Sequence, residues 1–298
     1  RDSTYIEEKV ANDAIGCLIS VKDLQGGHSG MDIHKGLGNA NKIMNRLLFS
    51  GMDSFDLRIS EIDGGSLRNA IPRESFAVVV LDKAIKSEFE ATFKQIAATI
   101  KSELTLIEPD LTISMEWKEA PDNVMQKDVQ GKLIRAIYAA LNGVYAMSAA
   151  IPDLVETSNN IARVVVKEGE IQIGCLTRSS VNSAKLDLAN ALKSAFELAG
   201  CEVRMDGDYP GWNPNPDSAI LRVLEDKYES LFGAKPNVVA CHAGLECGIL
   251  GRNYPEMDMI SLGPTIRGAH SPDERASISS VQKFWKFVCE IIKDIPKR

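Results

Sequence analysis

Two hydrophobic periods alternate between Ile15 and Trp117, and no other feature constrains the fold as tightly. Ile15 to Asp23 alternates as a strand, and Asn39 to Ser50 carries a helical stripe through Ile43, Leu47 and Leu48. Phe55 to Asp63 and Phe76 to Leu81 read as two further strands. Between them lie the turn-forming Gly64-Gly65-Ser66 and Asn69-Ala70-Ile71-Pro72. Phe89, Phe93, Ile96, Ile100 and Leu104 then mark a helix at three- and four-residue spacing, which stops before Pro109. Leu111 to Trp117 returns as a strand. This β-α-β-β-α-β order is the ferredoxin-like pattern, with helices on one face of an antiparallel sheet.

The cadence repeats downstream. A helix is expected from Lys127 to Leu141, strands at Ile161 to Val166 and Ile171 to Thr177, a helix at Lys185 to Ala199 and a strand at Cys201 to Met205. The two halves together predict one continuous sheet of about eight strands. Three prolines and two glycines in the eleven residues Asp206 to Pro216 mark a domain crossing. The expected division is therefore residues 15–205 as one domain and 206–298 as another. In the second, helices at Ser218 to Phe232 and through Val281, Trp285, Val288, Ile292 and Ile295 flank expected strands at Asn237 to Cys241 and Asp258 to Leu262. The fold class is thus α+β followed by α/β. The α/β segment, about 90 residues, is too small to close its own sheet and needs a partner, expected from an upstream segment.

The chain has 298 residues, a net charge of −7 and a pI near 5.3. With no basic excess, a nucleic-acid or anionic-membrane surface is not expected. No apolar run reaches the ~20 residues that span a bilayer. The six cysteines are scattered without a CxxC pair, mostly beside apolar neighbours as in Ile173-Gly174-Cys175-Leu176, so free thiols in a reducing, cytoplasmic setting are expected. A thiolate pair of Cys241 with His242 is disfavoured, because adjacent strand residues point to opposite faces. The chain opens on Arg1-Asp2-Ser3-Thr4 rather than on a signal pattern, and is expected to be a fragment of a longer protein.

Only four histidines occur, and two sit in loops punctuated by glycine and proline: Gly26-Gly27-His28-Ser29-Gly30 and Ala269-His270-Ser271-Pro272. Loops on a rigid scaffold can present such groups to a cleft. Taken alone, His270 reads either as a zinc ligand or as a solvated loop residue. His28 reads either as a donor to a developing oxyanion, its neighbouring glycines allowing close substrate approach, or as a turn residue bonding its own backbone. His34 and His242 read as structural. Arg178 ends a strand and could grip a carboxylate through both arms of its guanidinium, or form a surface ion pair. Asn69 fits a turn or a substrate amide donor equally well.

Five segments taken together resemble one family. They are Gly26 to His34 with Gly38-Asn39-Ala40-Asn41-Lys42, Gly64 to Arg73, Tyr209-Pro210-Gly211-Trp212, His242 to Gly248, and the His270 loop. In consistent order from about Gly16 onward, they resemble the aminoacyl-histidine (Xaa-His) dipeptidases of the peptidase D group. These are dinuclear-zinc metallopeptidases grouped with carnosinases and aminoacylases.

The resemblance implies a zinc-bearing α/β catalytic domain interrupted by an inserted lid with an antiparallel sheet. Residues 1–14 would then end the N-terminal catalytic segment, 15–205 form the lid and dimerisation domain, and 206–298 form the C-terminal catalytic segment. It implies two zinc ions per complete chain (with Mn2+ or Co2+ as alternatives), a dipeptide substrate and a homodimer formed through the lid. His270 and Asp2 match zinc-ligand positions, and His28 matches the lid histidine that stabilises the oxyanion. Asn69 and Arg178 match positions that hold the substrate backbone and terminal carboxylate, and Glu246 one that shapes the pocket. The family's His-x-Asp motif and paired glutamates match nothing in this chain, so these 298 residues alone are expected to be inactive. A related metal-dependent deacylase and a non-catalytic lid or dimerisation module are the alternatives.

Overall fold

In the computed structural model, residues 3–149, 151–212, 215, 217–240, 246–267 and 274–294 are described. They form two units, Arg1–Asp208 and Tyr209–Arg298.

The N-terminal unit begins with β1 (Ser3–Thr4), β2 (Glu7–Lys9), β3 (Ala14–Lys22) and β4 (Gly27–His28). Then come α1 (Ala40–Phe55), β5 (Arg58–Gly65), β6 (Ala70–Ile71), β7 (Ser75–Asp82), α2 (Lys86–Leu104) and β8 (Thr112–Lys118). The second half comprises β9 (Asn123–Met125), α3 (Lys127–Ala139), β10 (Gly143–Met147), β11 (Val155–Lys167), β12 (Glu170–Ser179) and α4 (Asn182–Leu198). One eight-stranded antiparallel sheet runs β1-β12-β11-β5-β7-β3-β8, with β10 also beside β11. The segment β3-α1-β5-β7-α2-β8 has the expected ferredoxin-like order. β2–β9 and β4–β6 are separate two-stranded ladders.

Side-chain alternation explains the layering. On β3, Cys17, Ile19 and Val21 are all 0% exposed, and they join Leu47 and Leu48 of α1, Ile59 of β5 and Val79 of β7 in one core. Each such aliphatic residue contributes roughly 1.5–3 kcal/mol by leaving water. α1 packs against α2 and α3, and α3 against α4, so the four helices form a layer on the sheet. The two halves of the sheet meet where β5 pairs with β11 (Gly64↔Val164, Gly65↔Arg163). Gly65 has φ +72°, and a Cβ there would strike the Ala162 carbonyl, so this join requires glycine.

Two N-terminal expectations need correction. Phe55 ends α1 instead of starting a strand, because its ring packs edge-on to Phe89 of α2 at 5.5 Å and extends the helix's apolar face. Cys201 to Met205 forms no ladder among the described residues. Cys201 and Val203 pack on the core, but β12 already pairs with β1 at Ile171 and Glu170.

The C-terminal unit contains α5 (Ala219–Phe232), α6 (Glu246–Asn253), β13 (Ile266–Arg267), β14 (Arg275–Ala276) and α7 (Ile278–Lys293). Tyr228, Phe232 and Phe287 stack α5 on α7, with the Lys283 ammonium 4.6 Å from the Tyr228 ring centre. The strands expected at Asn237 to Cys241 and Asp258 to Leu262 form no ladder among the described residues, and Cys241 lies outside them. An extended run becomes a strand only when a neighbour takes its backbone hydrogen bonds, and among the described residues only the β13–β14 hairpin is paired here. No residue of α7 is buried, and its Trp285 is 67% exposed. No described helix is long and apolar enough to cross a membrane.

Candidate substrate-binding site on the N-terminal unit

The segment from Gln25 to Gly38 leaves β3 and returns to α1, and one buried carboxylate holds both of its ends. Glu108, 2% exposed, accepts the Gln25 N–H at 2.8 Å and the Gly38 N–H at 2.7 Å. The Gln25 side chain donates in turn to the Ile107 carbonyl. Gly26 takes φ +65°, and the space a Cβ would need is filled by Arg73, which donates to the Leu24 carbonyl at 2.9 Å. This glycine therefore serves chain direction and packing.

Within the segment β4 pairs with β6, setting His28 opposite Ala70, and the Ser29 N–H donates to the Asn69 carbonyl at 2.8 Å. His28 Nδ1 accepts main-chain N–H groups from Gly30 at 3.2 Å and Met31 at 3.0 Å. A nitrogen that accepts cannot carry the ring proton, so the proton sits on Nε2, where the ring can act as a donor. The turn-residue reading of His28 is thus seen directly, since one ring nitrogen bonds its own turn. The Asp32 carboxylate accepts the His28 N–H at 2.8 Å and the Lys35 ammonium at 2.6 Å. Burial works to raise the Asp32 carboxyl, but the contacts from Lys35 and the His28 N–H outweigh it and hold the group below its ordinary value.

Arg178 reaches the same place from β12. Its Nε donates to the hydroxyl of Ser29, a residue 1% exposed, at 3.4 Å. Asn69 sits half-buried in the turn before β6; its side-chain amide has no hydrogen-bond partner among the described residues. Its main chain, by contrast, is held on both sides. Beneath it lies a bed of buried polar residues on β11: Asn160 donates to the Arg68 and Ala70 carbonyls, and Asn159 accepts from Thr177. A guanidinium, an imidazole donor and a side-chain amide on a rigid floor suit a small ligand with a carboxylate and a peptide group.

The structure therefore brings together His28, Asn69 and Arg178, which are far apart in sequence. Glu246 opens α6 in the C-terminal unit and is exposed. Asp2, His270 and His242 lie outside the described residues. Among the described residues no group of three His, Cys, Asp or Glu side chains could hold a metal ion, so none of them is assigned as a ligand set.

Residues 19–106 match the family described as the peptidase dimerisation domain. The matched stretch runs from within β3 through α2 and includes the His28 segment and Asn69. The chain is 39% identical over 283 residues to the cytosol non-specific dipeptidase of Escherichia coli, which covers 94% of this chain and 58% of that protein. It is also 39% identical to the crystal structure of aminoacylhistidine dipeptidase from Vibrio alginolyticus, with a TM-score of 0.88 over 100% of this chain and 61% of that one. The chain has the fold of that dipeptidase across the matched length, as the motif resemblance implied. It spans only about three-fifths of each of these relatives.

Several supporting residues escape a reading by motif. Asp32 and Glu108 act on backbone groups, and nothing in the sequence marks the N–H groups they meet. Asn159-Asn160 did leave a signal: two amides interrupt a run that becomes a central strand, and such a local conflict points to a built polar network.

Proposed function

We propose that this chain supplies the lid, at residues 15–205, and the C-terminal catalytic segment, at 206–298, of a metal-dependent dipeptidase that hydrolyses Xaa-His dipeptides. The observation that carries the reading is the meeting of Arg178, His28 and the Asn69 turn around Ser29. The Arg178 guanidinium pairs with the dipeptide's terminal carboxylate, because its planar fork matches a carboxylate in two parallel hydrogen bonds. The Asn69 amide bonds the substrate main chain. His28 donates its Nε2 proton to the oxygen of the scissile carbonyl as negative charge develops there. Since the Gly30 and Met31 N–H groups already fix the ring, little reorganisation accompanies that step.

Asp2 and His270 are proposed as ligands of the metal, taken as zinc. When bound, zinc polarises the carbonyl and supplies hydroxide near neutral pH. Glu246 is proposed to shape the pocket. Residues 19–106 are proposed to join two copies into a homodimer in the cytoplasm, in keeping with their match to a dimerisation domain. The names of the two relatives differ in breadth, one non-specific and one aminoacylhistidine, and the Arg178 pairing requires only a free carboxylate at the substrate's end.

The test is release of free histidine from a panel of Xaa-His dipeptides by the full-length protein. Release that a chelator abolishes and zinc restores is expected. Chelator-insensitive release, or none from a zinc-loaded protein, would overturn the reading.

A further inference from the structure

We infer that Asn160 is a positioning residue for the reaction, acting through Asn69; this rests on the dipeptidase reading above. Asn160 is 0% exposed, on the central strand β11. Its Nδ2 donates to the Ala70 carbonyl at 2.7 Å and to the Arg68 carbonyl at 3.3 Å. Those carbonyls lie on either side of Asn69. One amide thus fixes the direction of the main chain at the one residue of the turn assigned to the substrate backbone.

The orientation of that amide is set from behind. Asn160 Oδ1 accepts from Asn39 Nδ2 at 3.3 Å. Asn39 also donates to Asn142 Oδ1 at 2.8 Å and the Ile161 carbonyl at 3.1 Å, while its own Oδ1 caps α1 through the Asn41 and Lys42 N–H groups. Asn142 Oδ1 accepts the Ile161 N–H at 2.9 Å as well. The chain of amides therefore runs from the start of α1, across β11, to the Asn69 turn. Reversing Asn160 would place an oxygen against two carbonyls and an NH2 against a donor, so one orientation of the amide is favoured. Buried networks of this kind hold a geometry firmly, because each broken bond leaves a desolvated polar group behind.

The effect reaches His28 by a second route. The Asn69 carbonyl accepts the Ser29 N–H, and Ala70, whose carbonyl Asn160 holds, pairs with His28. The two protein groups nearest the proposed substrate amide thus share one anchor. A floor that moved the Asn69 turn by about an ångström would cost up to about 10²-fold in rate, the scale observed when reacting groups are misplaced.

A double-mutant cycle in the full-length protein tests this, with kcat and KM for an Xaa-His dipeptide and thermal midpoints as readouts. Asn160→Asp keeps the shape and removes both donors, and Asn160→Ala serves as a second variant should the first fold poorly. We expect either to lower kcat/KM by about 10- to 100-fold. In an Asn69→Ala background the same change should alter it by less than about twofold, because the group through which Asn160 acts is gone. Asn45→Ala is the control: Asn45 is also buried and donates to the Ile134 carbonyl at 3.1 Å on α3, so it should lower the thermal midpoint and leave kcat/KM within about twofold. An equal loss from Asn160→Asp in both backgrounds, or no loss in either, would overturn the inference and leave the dipeptidase reading standing. An Asn69→Ala variant with unchanged kcat/KM would overturn that residue's proposed role and the inference with it.

Discussion

At the scale of single residues, the site is a case of side chains whose function depends on what holds them. Arg178 bonds a buried serine through Nε, which orients its guanidinium. Arg178→Ala is expected to raise KM for dipeptides with a free terminal carboxylate by about 10- to 100-fold, the equivalent of a charge-assisted hydrogen bond at ~1.5–3 kcal/mol. KM for the amidated substrate should change little, and steady-state kinetics on the two forms check it. Burial also governs the thiols. It pushes the fully buried Cys17 up to about 12 and the half-buried Cys175 up to about 11, so both stay protonated in the fold at pH 8. Iodoacetamide followed by intact-mass analysis should find Cys17, which is fully buried, unmodified until the protein is unfolded. The sign of the linkage follows: an unfolded thiol ionises near 9.0, so these two groups begin to cost stability as pH rises past that value.

At the scale of elements, the sequence was legible wherever a period ran long enough to repeat. β3, α1, β7, α2, β8 and α3 follow directly from alternation or from three- and four-residue spacing, because burial on one face is what those periods encode. The short ladders β4–β6 and β2–β9 have no period to read; His28 and Ala70 meet through the β4–β6 pairing. Strand expectations failed at Cys201 to Met205 and Asp258 to Leu262 for one reason, the lack of a paired neighbour among the described residues. Glu108 holds both ends of the Gln25 to Gly38 segment. Glu108→Gln replaces one acceptor with a donor facing an N–H, and is expected to cost about 1–3 kcal/mol. Amide exchange at Gln25 and Gly38 should quicken while that of β3 and β7 stays slow; uniform quickening across the sheet would contradict a local role.

At the scale of the whole molecule, the two units differ in how much apolar surface they bury. The N-terminal unit has a continuous core from Tyr5 to Phe196, whereas α7 of the C-terminal unit has no buried residue and exposes Trp285 and Ile292. Both relatives are longer than this chain, and the proposal that residues 206–298 complete a catalytic domain accounts for that exposed face. His28, Asn69 and Arg178 are isolated loop and strand-end residues in the sequence, and folding gathers their segments around Ser29, where they are proposed to form one site. The most direct test of that site is the turnover number of His28→Ala in the full-length protein on an Xaa-His dipeptide, with metal content measured on the same sample. Loss of one oxyanion donor predicts a fall in kcat of about 10²–10³-fold with metal content unchanged. An unchanged kcat would return His28 to a purely structural part in its turn and contradict the account.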